Sequence, residues 1–260
     1  MEIIQYPILS QFHEIEHFCT TRQGGCSSGN YASFNLSPFS GDNAENQKSN
    51  IKLLASHLQI PTSQIIFPYQ THGDKVKIID SQFQNQFPAF QTDYLNGVDA
   101  LITNQSGVCI GVTTADCVPV LLYDAENKVV AAIHAGWRGT CSRIIQKTID
   151  LMTAAFGTIP EKVFASIGVS ISPVVYNVGE ELVSEFEKTG FPVNQIFISR
   201  NNQLYLDLWQ ANKWLLQSIG VPELQIEIAG ICSFINSDHY FSARKLGIKS
   251  GRMLSGIMLK

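Results

Sequence analysis

The sequence predicts an α+β fold, a layered sandwich of mixed β-sheets flanked by helices. Short apolar runs rich in Val and Ile outnumber the helix-length segments, and many are bounded by Gly, Asp or Asn, as strands are. Several consecutive runs between residues 100 and 133 also lack helix-length connections. A simple alternating parallel sheet needs such a crossover at each step, so mixed sheets are expected instead.

Strands are expected at residues 64–69, 75–79, 100–103, 108–112, 118–123, 128–133, 162–167 and 225–228. Four segments read as helices. Residues 46–58 follow Asp42 and Asn43, both suited to capping. Residues 142–156 space Ile145, Ile149, Met152 and Phe156 at three and four residues, then meet Gly157. Residues 180–189 end at Gly190, where a left-handed cap suits glycine. Residues 207–219 start on a capping Asp207 and place Leu208, Ala211, Leu215 and Ile219 on one stripe. They stop at Gly220-Val221-Pro222. Residues 81–92 read as a surface excursion rather than a linker, so residues 1–260 form one domain.

With 260 residues and 45% hydrophobic content, the chain buries a large core. The formal charge is −4 and charged residues make up 15%, which offers no broad basic surface to nucleic acid or an anionic membrane. A small-molecule partner fits better. The N-terminus lacks a basic segment followed by a long apolar one, and no apolar run reaches spanning length, so a cytoplasmic location is expected. Six scattered cysteines suit a reducing compartment, most of them serving as small buried residues.

Three segments carry the functional information: Gln70-Thr71-His72-Gly73, Thr114-Ala115-Asp116-Cys117-Val118-Pro119 and His134-Ala135-Gly136-Trp137-Arg138-Gly139. Together they offer two imidazoles and a thiol, a three-ligand set for zinc. Structural zinc sites usually close with four protein ligands, whereas catalytic sites commonly use three, so the count favours an enzyme. Taken alone, His72 fits an ordinary loop histidine and Cys117 a small buried residue. His134 ends an apolar strand and Cys117 precedes another. If those strands pair as a hairpin through residues 124–127, Cys117 and His134 become neighbours.

These segments resemble the YfiH/YlmD family, described as polyphenol-oxidising laccases and as purine nucleoside phosphorylases and related to mammalian FAMIN. The resemblance extends to His17-Phe18-Cys19-Thr20-Thr21-Arg22-Gln23-Gly24-Gly25, Phe34-Asn35-Leu36 with Gly41-Asp42, Tyr240-Phe241-Ser242 and Ser250-Gly251-Arg252. It implies His72, Cys117 and His134 as zinc ligands and a four-layer fold also seen in a bacterial deamidase toxin. It further implies phosphorolysis of adenosine, inosine and S-methyl-5′-thioadenosine, with accompanying adenosine deamination. The expected partners are thus purine nucleosides and phosphate. Zinc accounts more readily for deamination, because it lowers the pKa of bound water to about 7.

For the anion, Arg22 precedes Gly24-Gly25, and Arg138 lies in the Gly136–Gly139 turn just before a helix, although either turn can equally be a bare bend. Asp116 offers a carboxylate for proton handling or for orienting a histidine, and a turn-forming role is the plain alternative. Two segments depart from the family pattern. Gly168-Val169-Ser170-Ile171 stands where Gly-Pro is usual, and Ala243-Arg244-Lys245 stands where tandem arginines are usual. Arg244 retains a planar fork for a substrate or phosphate oxygen, which Lys245 lacks.

Three alternatives stay open. Cys117 and His134 also suit a nucleophile and base for a hydrolase or deamidase, with Asp116 or an asparagine as orienter. A copper-dependent phenol oxidase needs several copper centres, yet the six histidines show no His-x-His pairs, so copper at the same three-ligand site is the simpler account. A non-catalytic purine-binding protein is the third.

Overall fold

In a computed structural model the described residues are 1–86 and 88–260. Among them the strands, in chain order, are β1 Ile3–Ile4, β2 Ile15–Thr20, β3 Ile65–Ile66, β4 Val76–Ile78, β5 Ala100–Thr103, β6 Cys109–Thr114 and β7 Val118–Asp124. There follow β8 Val129–Ala135, β9 Val163–Ile167, β10 Asn177–Val178, β11 Phe197–Arg200, β12 Gln203–Leu206, β13 Ile226–Ile228 and β14 Met253–Leu259. They form a five-stranded sheet ordered β1-β2-β14-β6-β3, a six-stranded sheet ordered β13-β9-β7-β8-β5-β4 and a small sheet ordered β10-β12-β11. Both large sheets mix parallel and antiparallel pairs, so the expected α+β sandwich is what the chain forms.

Side-chain alternation explains the layering. On the six-stranded sheet, Val120, Leu122, Ala131 and Ile133 face the helices Ile144–Phe156 and Leu208–Ser218. Their neighbours Leu121, Tyr123, Val130 and Ala132 pack instead against Ile110, Val112, Met253 and Ile257 of the five-stranded sheet. The far face of that sheet, with Phe18, Cys109, Leu254 and Met258, meets Leu54 and Leu58 of the Ala44–Leu58 helix. The order is therefore helix, sheet, sheet, helices. Each fully buried Leu, Ile or Phe contributes ~1.5–3 kcal/mol relative to exposure.

The expected caps hold. The Asn43 side chain accepts from the amides of Glu45 and Asn46, and Asp207 accepts from that of Gln210. Gly157 is left-handed at φ 74°. The expected hairpin also forms: β7 and β8 pair antiparallel with Pro119 opposite His134, and Asp124 closes the turn by accepting from the amides of Glu126 and Asn127. The expected strand at 64–69 shrinks to β3, and the helix expected from 142 starts at Ile144, after Arg143 turns left-handed at φ 61°. Strands β1, β2, β10, β11, β12 and β14 were not anticipated. The excursion at 81–92 contains the short helices Ser81–Gln84 and Pro88–Tyr94, and Phe87 lies outside the described residues.

Sheet topology gathers the functional segments at one place. β4 runs parallel to β5, β8 antiparallel to β5, and β7 antiparallel to β8. The residues before β4, β5 and β7 and the end of β8 consequently share one end of the sheet. These are the positions of His72, Asp99, Cys117 and His134.

Candidate metal centre and cavity

Cys117 lies in the three-residue connection by which the chain leaves β6 in one sheet and enters β7 in the other. So sharp a passage is strained, and Asp116 adopts φ 89° there. His72 is likewise left-handed, at φ 62°. Both outliers sit at the same cluster: the ligand atoms of His72, Cys117 and His134 lie within 4.8 Å of one another. The two imidazole rings meet edge to face with centroids 4.9 Å apart. Among the described residues this is the single group of three or more His, Cys, Asp or Glu arranged to hold a metal.

The local chemistry fits an N/N/S metal site. His134 is buried and its Nδ1 donates to Asp99 at 2.7 Å, which leaves the Nε2 lone pair for a ligand. Asp99 is itself fully buried and accepts from the amides of Thr71, His72 and Gly73 at 3.2, 3.0 and 2.8 Å. One carboxylate thus orients one imidazole and fixes the loop that carries the other. Burial pushes the Asp99 carboxyl up, but His134 and these amides outweigh it and hold the pKa below its ordinary value. Burial also pushes the Cys117 thiol up, and the adjoining His134 and His72 bring it down to about 6. Gly136 completes the cradle, since a Cβ there would stand 3.0 Å from the Cys117 sulfur and 3.5 Å from the His72 ring.

The cluster opens into a cavity of about 700 Å³, a size suited to a small molecule. Asp116, Arg244, Lys249 and Arg252 are among its lining residues, as are Phe39 and Tyr69. Asp116 accepts from the Ser233 hydroxyl and the Arg244 amide, each at 2.7 Å. It therefore ties the C-terminal loops to the site, while the orienting of a histidine falls to Asp99. Arg252 donates to the backbone oxygens of Ile248, Ser250 and Gly251, which fixes its guanidinium at the wall. Arg244 bonds Asn177 through Nη1 at 2.8 Å and lies over the Tyr176 ring.

Two residues expected to contact the anion are not among those lining the cavity. The Arg22 guanidinium donates to the carbonyls of Ala32 and Ser237 and packs on Phe241, outside the cavity lining. Arg138 is exposed, stacks over Trp137 and belongs to a five-residue helix, Trp137–Cys141, where a turn was expected. Asp99 and Arg252 were not singled out as site residues in the sequence. An Asp directly preceding the apolar run of β5 was the available signal for the first, and the Ser-Gly-Arg segment for the second.

Residues 16–260 match the family model described as multi-copper polyphenol oxidoreductase laccase. The crystal structure of the Bacillus licheniformis hypothetical protein YfiH superposes with a TM-score of 0.91 at 28% identity, covering 99% of this chain and 96% of that one. The chain belongs to the YfiH/YlmD family. Within this family, a purine nucleoside phosphorylase of Bacteroides thetaiotaomicron is 46% identical over 259 residues, covering 99% of this chain and 96% of that protein. An adenosine deaminase RL5 from an unknown prokaryotic organism is 37% identical over 248 residues, covering 95% and 94%. This YfiH/YlmD chain is accordingly an enzyme by family, with one cluster among its described residues that could hold a metal, where the family's description speaks of several coppers.

Proposed function

We propose that this chain is a zinc-dependent purine nucleoside phosphorylase acting on adenosine, inosine and S-methyl-5′-thioadenosine, with accompanying adenosine deaminase activity. The observation that carries the reading is one cavity lined both by the His72, Cys117 and His134 cluster and by the cationic side chains of Arg244, Lys249 and Arg252. The names of the relatives point the same way. In phosphorolysis, phosphate attacks C1′ of the ribose while the purine leaves with the bond's electrons. The enzyme must hold an anion and stabilise a departing base. Arg244 offers phosphate oxygens the guanidinium N–H groups that Asn177 does not take, and Lys249 and the carbonyl-anchored Arg252 add positive charge. Asp116 acts by position, since the Arg244 amide is fixed on its carboxylate. Zinc, when bound by the three ligands, supplies Lewis acidity at neutral pH.

A second reading has an observation of its own: Cys117, His134 and Asp99 are connected like a nucleophile, base and orienter. One experiment addresses both. Wild type and Cys117→Asp are incubated with a nucleoside panel with and without phosphate, and products and bound metal are measured by mass spectrometry. The expected result is ribose 1-phosphate formed only with phosphate, ammonia release from adenosine, about one zinc per chain, and residual Cys117→Asp turnover in proportion to its zinc. Phosphate-independent products throughout overturn the phosphorylase reading. Zinc-loaded Cys117→Asp without any turnover favours the cysteine nucleophile.

A further inference from the structure

We propose that Phe39 and Tyr69 form the nucleobase subsite of this cavity, an inference that rests on the phosphorylase reading. Both aromatic rings are about half exposed, Phe39 at 51% and Tyr69 at 45%, and they stand edge to face with centroids 4.7 Å apart. Paired, half-exposed aromatics at the wall of a cavity that also holds charged side chains are unlike scattered surface hydrophobics, which need no partner. They also belong to rigid supports. Tyr69 is tied by backbone hydrogen bonds to Leu95 and Gly97, and the next residue, Gln70, grips the backbone of Thr113 at the end of β6 through both its amide oxygen and nitrogen. The loop carrying Phe39 is held by Asn35, which donates to Ser40 and Asp42, and by Gln47, which donates to the carbonyl of Ser37. Neither loop is an idle flap.

The division of the cavity follows from charge. Aromatic faces carry negative potential, so a phosphate dianion gains nothing beside Phe39 and Tyr69 and is drawn to Arg244, Lys249 and Arg252. A neutral, planar purine gains from stacking on an aromatic ring, and base-to-aromatic stacking is sequence-tolerant because every base presents a π-face. Tyr69 and His72 line the same cavity from one loop, so a base at this wall shares that cavity with the His72, Cys117 and His134 cluster. That placement serves phosphorolysis and deamination alike. A purine offers two fused rings to the wall and a pyrimidine one, so the wall also favours purines.

The test uses Phe39→Ala, Tyr69→Ala, Phe39→Trp and wild type, all zinc-loaded. Binding of 2-aminopurine riboside without phosphate is read by fluorescence, and inosine and phosphate kinetics are measured separately. Wild type is expected to quench the probe. Each alanine variant should raise the inosine KM by about tenfold while changing the phosphate KM by less than about twofold. Phe39→Trp, unlike Phe39→Ala, should retain the quench and the low inosine KM, which a merely structural role for Phe39 does not predict. Normal inosine KM and normal quenching in both alanine variants, with wild-type melting temperatures, would overturn the subsite while leaving the phosphorylase reading intact. A wild type that binds the probe but turns over no nucleoside would instead overturn the phosphorylase reading on which the subsite rests.

Discussion

A metal-binding imidazole that ligates through Nε2 needs its Nδ1 proton anchored, and Asp99 does this for His134 at 2.7 Å while its oxygens take three backbone amides of the His72 loop. Asp99→Asn keeps the size but replaces one acceptor oxygen by a donor, so it opposes either the His134 proton or the loop amides. Metal affinity is expected to fall by about 10–100-fold, in line with other residues that support metal ligands. Competition against a chromophoric chelator measures it, and wild-type affinity would show that the loop holds His72 without this carboxylate. The three members of the cluster were legible because His72 and Cys117 flank recognisable turns and His134 ends an apolar strand. Asp99 was not, because its role exists only once β5 pairs with β8 and brings residue 99 beside residue 134, whose amide it also engages. Arg22 and Arg138, expected at the anion, are not among the residues that line the cavity, and the sequence could not say so for a related reason. A Gly-flanked arginine looks alike in sequence whether its guanidinium reaches a ligand or, as for Arg22, caps carbonyls of its own chain.

Elements place these residues, and the junction between β8 and the Trp137–Cys141 helix leaves little room beside the cluster. Gly136 sits there with an ordinary φ of −64°, so its glycine identity answers to space and not to backbone conformation. Gly136→Ala is expected to displace the Cys117 sulfur by a few tenths of an ångström and to lower metal occupancy several-fold, with little change in melting temperature. Full occupancy by elemental analysis would mean that β7 yields instead. At this scale the β7–β8 hairpin was readable from two apolar runs around a polar turn whose Asp124 caps it. Strand β14 was not, because it is buried on both sides and interrupted by Gly256, so it shows neither alternation nor uniform strand propensity. The β11–β12 hairpin turns on Asn201-Asn202, both left-handed at φ 51° and 57°, a two-residue signal that the flanking polar residues obscured.

Across the whole molecule, four layers create an interior between two sheets that excludes water from groups which would otherwise ionise in alkali. Tyr6, Tyr123, Tyr240 and Cys19 are packed in that interior, and Cys109 lies on the outer face of the five-stranded sheet under the Ala44–Leu58 helix. Burial pushes Cys19 up to about 11, Cys109 and Tyr240 up to about 12, and Tyr6 and Tyr123 well above the ordinary tyrosine value. In an unfolded chain the same groups titrate at roughly 8.5 for Cys and 10 for Tyr. Below those values both states keep the protons and the groups contribute no pH dependence. Above them the unfolded state releases protons that the folded state retains, so stability falls as pH rises towards the folded values. The urea midpoint is therefore expected to be insensitive to these groups up to about pH 8 and to drop progressively above it. Tyrosinate absorbance near 295 nm should rise with a component that appears only as far-UV circular dichroism is lost. A midpoint unchanged at pH 11, or full tyrosinate absorbance in the folded protein, would show that water reaches the interior between the sheets.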